Sequence, residues 1–196
     1  MLEIHENSVY DVFNHVAGKL CIFRDVTVER DLEKQIRHSS NTDFLTGLYN
    51  RRCFYQYIHN NRGSRTVSLM YIDLDRFKEV NDTYGHKVGD AVLVHTAVVL
   101  RDFFKDDFVA RLGGDEFLVV RLGKCCMDQL KQEAEAFLKE MSTAFQAAEQ
   151  TVALSASVGI AQSSDSQMDI DALLQRSDQA LYQAKKEGRS RYCVYR

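Results

Sequence analysis

The run Leu69-Met-Tyr-Ile-Asp-Leu-Asp-Arg-Phe-Lys78 constrains this chain most strongly, because it carries two carboxylates at the end of an apolar, β-rich stretch. An isolated charge in apolar surroundings costs many kcal/mol unless it is paired or bound to a metal. Asp73 and Asp75 therefore need partners that the rest of the chain must supply. Residues two apart in a strand face the same side, so the two carboxylates could point together toward one cation. For Asp75 the favoured reading is a cap on the following helix, where an acid satisfies free N–H groups. Asp73 is the better metal candidate. A helix starting at Arg76-Phe77-Lys78 would set backbone N–H groups beside the carboxylate, and helix N-termini bind phosphate through their dipole and hydrogen bonds. A metal carboxylate beside an anion-binding turn is a common way to hold a nucleoside triphosphate with Mg²⁺.

The remaining pattern alternates. With no proline in the chain, glycines must mark the loops. Asn50 to Asn60 reads as helix, Thr66 to Leu74 as strand, and Arg76 to Asp82 and Gly89 to Phe104 as helices. Phe108 to Leu112 and Phe117 to Leu122 are apolar runs around Gly113-Gly114-Asp115-Glu116, a hairpin signal because glycine tolerates the positive φ of a tight turn. Met127, Leu130, Ala134, Phe137, Leu138, Met141 and Phe145 outline a long amphipathic helix. Thr151 to Ala161 reads as strand, Asp169 to Glu187 as helix and Arg191 to Tyr195 as a last strand. The fold class is α/β (α+β), a central mixed or antiparallel sheet flanked by helices.

At the hairpin tip, Asp115 and Glu116 crowd two like charges, which repel unless a cation neutralises them. A lone Gly-Asp-Glu would be read as a solvated acidic turn. Arg111-Leu-Gly-Gly-Asp-Glu-Phe117, however, resembles the signature of the GGDEF family of diguanylate cyclases, and further blocks agree in order. Asp43-Phe-Leu-Thr-Gly-Leu-Tyr-Asn-Arg-Arg52 is similar to the family's entry motif, and Asp73 to Asp82 with Gly85-His-Lys-Val-Gly-Asp90 to its metal and guanine segment. Ser157-Val-Gly-Ile-Ala161 and Ala180-Leu-Tyr-Gln-Ala-Lys-Lys-Glu-Gly-Arg189 resemble its C-terminal blocks. The resemblance covers Asn41 to Arg196.

It implies a fold like the palm of polymerases and class III nucleotide cyclases, and conversion of two GTP into cyclic di-GMP and two pyrophosphates. Carried over by position, Asp73, the Leu74 carbonyl and Asp115 would hold Mg²⁺, with Mn²⁺ as the alternative ion. Glu116 would complete the acidic cluster, and either hairpin acid could assist deprotonation of the 3′-hydroxyl. Asn81 and Asp90 would read guanine, whose N1–H and 2-amino donors suit an aspartate acceptor. Asp90 differs in a subgroup that also accepts ATP, so its presence supports GTP. Lys78, Lys185 and Arg189 would meet the β and γ phosphates, the last two sharing one face of the final helix. Singly, each has a bland competitor: Asn81 as a turn cap, Asp90 as a helix cap, Lys185 and Arg189 as a solvated helix end. As an ordered set the functional reading prevails. Each domain would supply one GTP, so catalysis calls for a homodimer, and downstream cyclic di-GMP receptors are implied partners. The rival reading is a catalytically silent nucleotide-binding module that signals through protein contacts.

One departure from the family is visible. Many members carry Arg-x-x-Asp upstream of the signature as a product-inhibition site, and here that stretch is Phe104-Lys-Asp-Asp107. Phenylalanine offers no bidentate recognition of phosphate or a guanine edge.

Residues 1–27 resemble the closing strand of a PAS sensor domain at Gly18 to Arg30, too short for a whole sensor and expected as a lone strand that seeks a partner or is poorly ordered. Residues 28–42 read as an amphipathic linking helix from Val28, Leu32 and Ile36, and 43–196 as the catalytic domain. Lys and Arg total 25 against 28 Asp and Glu, a net charge of -3 that provides no global basic field for a nucleic acid polymer or an anionic membrane. The most apolar stretch, Ala91 to Leu100, is about half the ~20 residues a membrane span needs. Acids at the N-terminus and an odd set of five cysteines without Cys-x-x-Cys give the expectation of a cytoplasmic protein with reduced thiols. The histidines show no metal-ligand spacing.

Overall fold

The computed structural model describes residues 2–10, 12–25, 41–61, 63, 66–147, 150–163 and 169–196. Two compact units result, residues 1–40 and 41–196. In the first, β1 (Leu2–Tyr10) pairs antiparallel with β2 (Val16–Asp25), placing Ile4 opposite Phe23 and Asn7 opposite Leu20. The strand expected to stand alone thus has a neighbour, formed from residues whose mixed composition gave no period. Most of the linking-helix segment, residues 28–40, lies outside the described residues.

The second unit runs β3 (Tyr49–Asn50), α1 (Arg51–Asn61), β4 (Val67–Leu74), α2 (Phe77–Tyr84), α3 (His86–Phe103), β5 (Phe108–Gly113), β6 (Glu116–Leu122), α4 (Met127–Met141), β7 (Phe145–Ala147), β8 (Gln150–Val152), β9 (Ala156–Ser163), α5 (Ile170–Lys186) and β10 (Tyr192–Val194). Six strands form one mixed sheet in the order β10-β9-β4-β6-β5-β3. β4 sits centrally, antiparallel to both β6 and β9, while β10 and β3 join their neighbours in parallel.

Every residue of β4 is buried, so both its faces must be covered. Met70, Ile72 and Leu74 pack with Val92, Leu93, Ala97 and Leu100 of α3 and Leu130, Ala134 and Phe137 of α4. Leu69 and Tyr71 face the other way, with Phe54 and Ile58 of α1 and Leu173 and Leu181 of α5. The period of two thus sorts the strand between two cores and puts Asp73 on the α5 side.

The short strand β3, the long helix and the strand after it differ from the sequence reading. The long helix ends at Met141, where the Ser142 and Thr143 hydroxyls donate to the Lys139 and Glu140 carbonyls at 2.7 and 2.8 Å, a local alternative to helical bonding. Phe145 lies instead in a small β7–β8 hairpin, its ring stacked on His95 at 4.3 Å. The strand expected from Thr151 to Ala161 is two strands, because residues 153–155 leave the ladder and the Ser155 carbonyl accepts the Asp75 N–H at 2.9 Å.

Small residues let α5 close on the sheet. A Cβ on Gly159 would overlap the Ser177 carbonyl oxygen and the Leu181 backbone nitrogen, and would sit 2.8 Å from the Leu181 Cβ. Gly159→Ala must therefore push α5 off β9, and overpacking of this kind costs about 1–3 kcal/mol or more. The expected outcome is a lower urea midpoint without change of slope; an unchanged midpoint would show that the contact yields freely.

Candidate active site

The turn between β5 and β6 has Gly113 at φ 146° and Gly114 at φ 53°, backbone that residues with a Cβ adopt only under strain. Arg111 fixes it. Its Nε and Nη2 donate to the Gly114 carbonyl at 3.0 and 2.7 Å, and its Nη1 donates to Asp43 Oδ1 at 2.9 Å. Burial tends to raise the Asp43 pKa, but hydrogen bonds from Thr46 and the Arg111 guanidinium outweigh it, and the carboxyl is held below its ordinary value. The first residue of the entry motif thus braces the signature hairpin. Both residues lie in motifs visible in the sequence, but their pairing spans 68 positions and no local pattern reveals it.

The antiparallel register sets Asp73 opposite Glu116 on one side and Ser157 on the other. Glu116 and Asp115 are half-buried, and the Leu74 N–H donates to the Asp115 carbonyl at 3.4 Å. Lys185 reaches in from α5, its Nζ 2.7 Å from Asp73 Oδ1. Burial pushes the Asp73 pKa up to about 6; the Lys185 hydrogen bond opposes this and the Asp115 and Glu116 charges add to it. Tyr71, two residues earlier on the same face, also goes unnoticed in the sequence. Burial and the Glu116 carboxylate, which accepts its hydroxyl hydrogen bond, hold its pKa well above the ordinary value. Alternation from Asp73 was the signal that could have found it.

The structure separates Asp75 from Asp73. β4 ends at Leu74, so the alternation that would have aimed both carboxylates at one cation stops before Asp75. Asp75 is not the cap of α2 either: the capping position is Arg76, in left-handed conformation at φ 55°, with no side-chain cap bond. Its carboxylate instead accepts from Ser155 Oγ at 2.8 Å, Ser157 Oγ at 2.7 Å and the Ser190 N–H at 3.0 Å.

α2 begins at Phe77, leaving Arg76 and Lys78 exposed at its N-terminal end. Asn81 lies in α2 against α3. A Cβ on Gly89 would overlap Asn81 Oδ1 and come within 3.0 Å of its Cγ and 3.4 Å of the Phe77 ring. Asp90 is exposed inside α3, which starts at His86, ahead of the expected Gly89, so it caps nothing. Lys185 and Arg189 do not share a helix face: α5 ends at Lys186, Gly188 follows its cap, and Arg189 lies beyond in left-handed backbone at φ 64°.

Carboxylate oxygens suit a hard divalent cation, and Mg²⁺ is usually held by one or two carboxylates together with substrate phosphates, not by an all-protein cage. The donor set Asp73, Asp115 and Glu116 fits that habit. Among the described residues no group of three or more His, Cys, Asp or Glu is drawn together into a metal-holding cluster.

Residues 40–191 match the family model described as diguanylate cyclase, GGDEF domain. The chain is 38% identical over 178 residues, 88% of its length, to diguanylate cyclase DgcM of Escherichia coli K12. It is 37% identical over 180 residues, 90% of its length, to cyclic di-GMP phosphodiesterase PdeR of the same organism. It spans 42% and 27% of those two relatives. Among solved structures it superimposes on the coiled coil and GGDEF domain of DgcB from Caulobacter crescentus, in complex with c-di-GMP, with TM-score 0.77 and 27% identity, covering 87% of this chain and 93% of that one. The active GGEEF domain of a Vibrio cholerae diguanylate cyclase gives TM-score 0.61 and 32% identity over 74% of this chain and 91% of its own.

The raised Asp73 pKa has a measurable consequence. Between 3.8, where an unfolded aspartate titrates, and about 6, the folded chain keeps a proton that the unfolded chain has released. Stability from this group is therefore present below the unfolded value and is lost as pH rises through the folded one. In ligand-free protein Asp73→Asn, whose amide oxygen can still accept from Lys185, should melt higher than the parent at neutral pH. The difference should shrink as pH falls through 6 toward 4. A pH-independent difference would show that another group titrates.

Proposed function

The chain belongs to the GGDEF family, and from that premise we propose that it is a diguanylate cyclase that condenses two GTP into cyclic di-GMP and two pyrophosphates. The observation that carries this reading is the strand-end constellation, in which buried Asp73 faces Glu116 across the ladder with Lys185 at 2.7 Å. Mg²⁺, or Mn²⁺, would be held by Asp73, the Leu74 carbonyl and Asp115, with Glu116 beside them; bound there, the ion would neutralise charge on the triphosphate. The backbone N–H groups of Phe77 and Lys78 and the side chains of Lys78, Lys185 and Arg189 would meet the distal phosphates. Lys185 exchanges a carboxylate partner for phosphate oxygen in doing so. Asn81 and Asp90 would read guanine, and Gly89 leaves the space that Asn81 occupies. Asp115 or Glu116 would take the 3′-hydroxyl proton as that oxygen attacks the α-phosphorus of the second GTP.

Each domain supplies one GTP, so two chains act together across a two-fold axis. Residues 43–196 form the catalytic domain under this proposal, with 28–42 as a linking helix and 1–27 as the closing part of a PAS-like sensor. Product feedback through the position upstream of the signature is absent. Phe104 is buried against Phe137, their centroids 5.9 Å apart, and Arg121 claims Asp107 with two hydrogen bonds of 2.8 and 2.6 Å. Both side chains are committed inside the domain. No helix among the described residues is long and apolar enough to cross a membrane.

With GTP and Mg²⁺ the protein should form cyclic di-GMP, with a rate that rises faster than first order in enzyme at low concentration. Asp115→Ala should lower it by about 100-fold or more. GTP binding without product would favour the silent module, and full activity in Asp115→Ala would remove Asp115 from the site. Noncompetitive inhibition by low-micromolar cyclic di-GMP would overturn the assignment at Phe104. Gly89→Ala should displace Asn81 and reduce the preference for GTP over ATP, measured as the ratio of kcat/KM; an unchanged ratio would separate Gly89 from base recognition.

A further inference from the structure

Arg189 and Ser190 have φ of 64° and 47°. Left-handed backbone is costly for residues with a Cβ, and two in succession persist only where their surroundings over-determine them. The surroundings here are specific. The Arg189 N–H donates to the Ala184 carbonyl at 3.1 Å, and the Ser190 N–H donates to Asp75 Oδ2 at 3.0 Å. Asp75 is itself fixed by the Ser155 and Ser157 hydroxyls at 2.8 and 2.7 Å, and its own N–H donates to the Ser155 carbonyl at 2.9 Å. One carboxylate thus joins the chain just past β4, the start of β9 and the loop after α5. Asp75, Arg76, Glu79, Tyr84 and Arg189 line a cleft of about 510 Å³ there.

We propose that Asp75 is a positioning residue for the phosphate-binding loop, holding Arg189 in the left-handed conformation that presents it at this cleft. The inference rests on reading the site as a GTP site. Asp75 touches no substrate; it acts through the Ser190 amide on Arg189. Its neighbour Asp73 serves charge chemistry, whereas Asp75 serves geometry, and three hydrogen bonds leave few of its lone pairs for a cation. Arg189 would meet only the distal phosphates, so loss of Asp75 should weaken triphosphate binding and spare the nucleoside monophosphate.

The test is binding of GTP and of GMP, each with Mg²⁺, to the full chain and to Asp75→Ala, Asp75→Asn, Arg189→Ala and the Asp75→Ala/Arg189→Ala double variant. Hydrogen bonds to a charged group are strong enough that Asp75→Ala should weaken GTP roughly ten- to hundredfold, with GMP within about twofold. Asp75→Asn keeps an oxygen acceptor for the Ser190 N–H and should restore most of the GTP affinity. Asp75→Ala should add nothing in the Arg189→Ala background, since residues acting through one another are not additive. Equal losses of GTP and GMP, an Asn variant as weak as Ala, or additive effects in the double variant would each overturn the proposal. If the parent binds neither nucleotide, the GTP reading fails, and amide hydrogen exchange decides this one separately: exchange at Ser190 should accelerate in Asp75→Ala, and an unchanged rate overturns the proposal. Should Asp75→Ala not fold, the same exchange and GTP-to-GMP comparisons on Ser155→Ala/Ser157→Ala apply, with an unchanged ratio and unchanged exchange as the overturning result.

Discussion

Burial of the Asp73 carboxylate in the central strand is the constraint to which the surrounding structure answers. β4 is covered on both faces, so solvent cannot stabilise the charge, and burial drives its pKa upward. Lys185 offsets part of that cost, and it reaches Asp73 only because α5 lies close against β9. That approach depends on Gly159, where a side chain would strike the helix backbone. A packing requirement in one block of sequence thus sets an electrostatic distance in another. The Asp115 and Glu116 charges add to the upward shift.

The acids are held by elements that do not themselves carry the chemistry. Arg111 grips the turn carbonyl and Asp43 together, so the left-handed glycine turn is braced from the far end of the domain's sequence. Tyr71 packs in the α1–α5 core close enough to Glu116 for that carboxylate to help hold its hydroxyl neutral. Asp75 ties the loop after α5 to the sheet. Among the basic residues, Lys185 is committed to Asp73, while Lys78 and Arg189 are exposed.

Local pattern revealed much of this. The apolar run of β4, the glycine pair between two apolar runs and the period of α5 are short-range signals, and the corresponding elements lie within a few residues of where those signals put them. Readings that needed a neighbour fared worse. Phe145 continues the apolar period of α4 yet belongs to a hairpin, because the Ser142 and Thr143 hydroxyls bond back to helix carbonyls after Met141 and a ring stack on His95 outweighs periodicity. Arg189 sits four positions after Lys185, but the helix stops at Lys186 ahead of Gly188. Asp75 resembled a cap or a second metal ligand because its true partners, Ser155, Ser157 and Ser190, lie 80, 82 and 115 positions away.

By itself the sequence determined the alternation of elements, the hairpin with its acidic tip and, through ordered motifs, the family. These depend on residue type and spacing within a few turns of chain. Only the tertiary structure decided which acid faces Lys185, which is spent on serines and a backbone amide, and which glycines are empty space for a neighbour. Those outcomes depend on strand register and on how closely α5 and α3 approach the residues beside them, distances that no local period encodes.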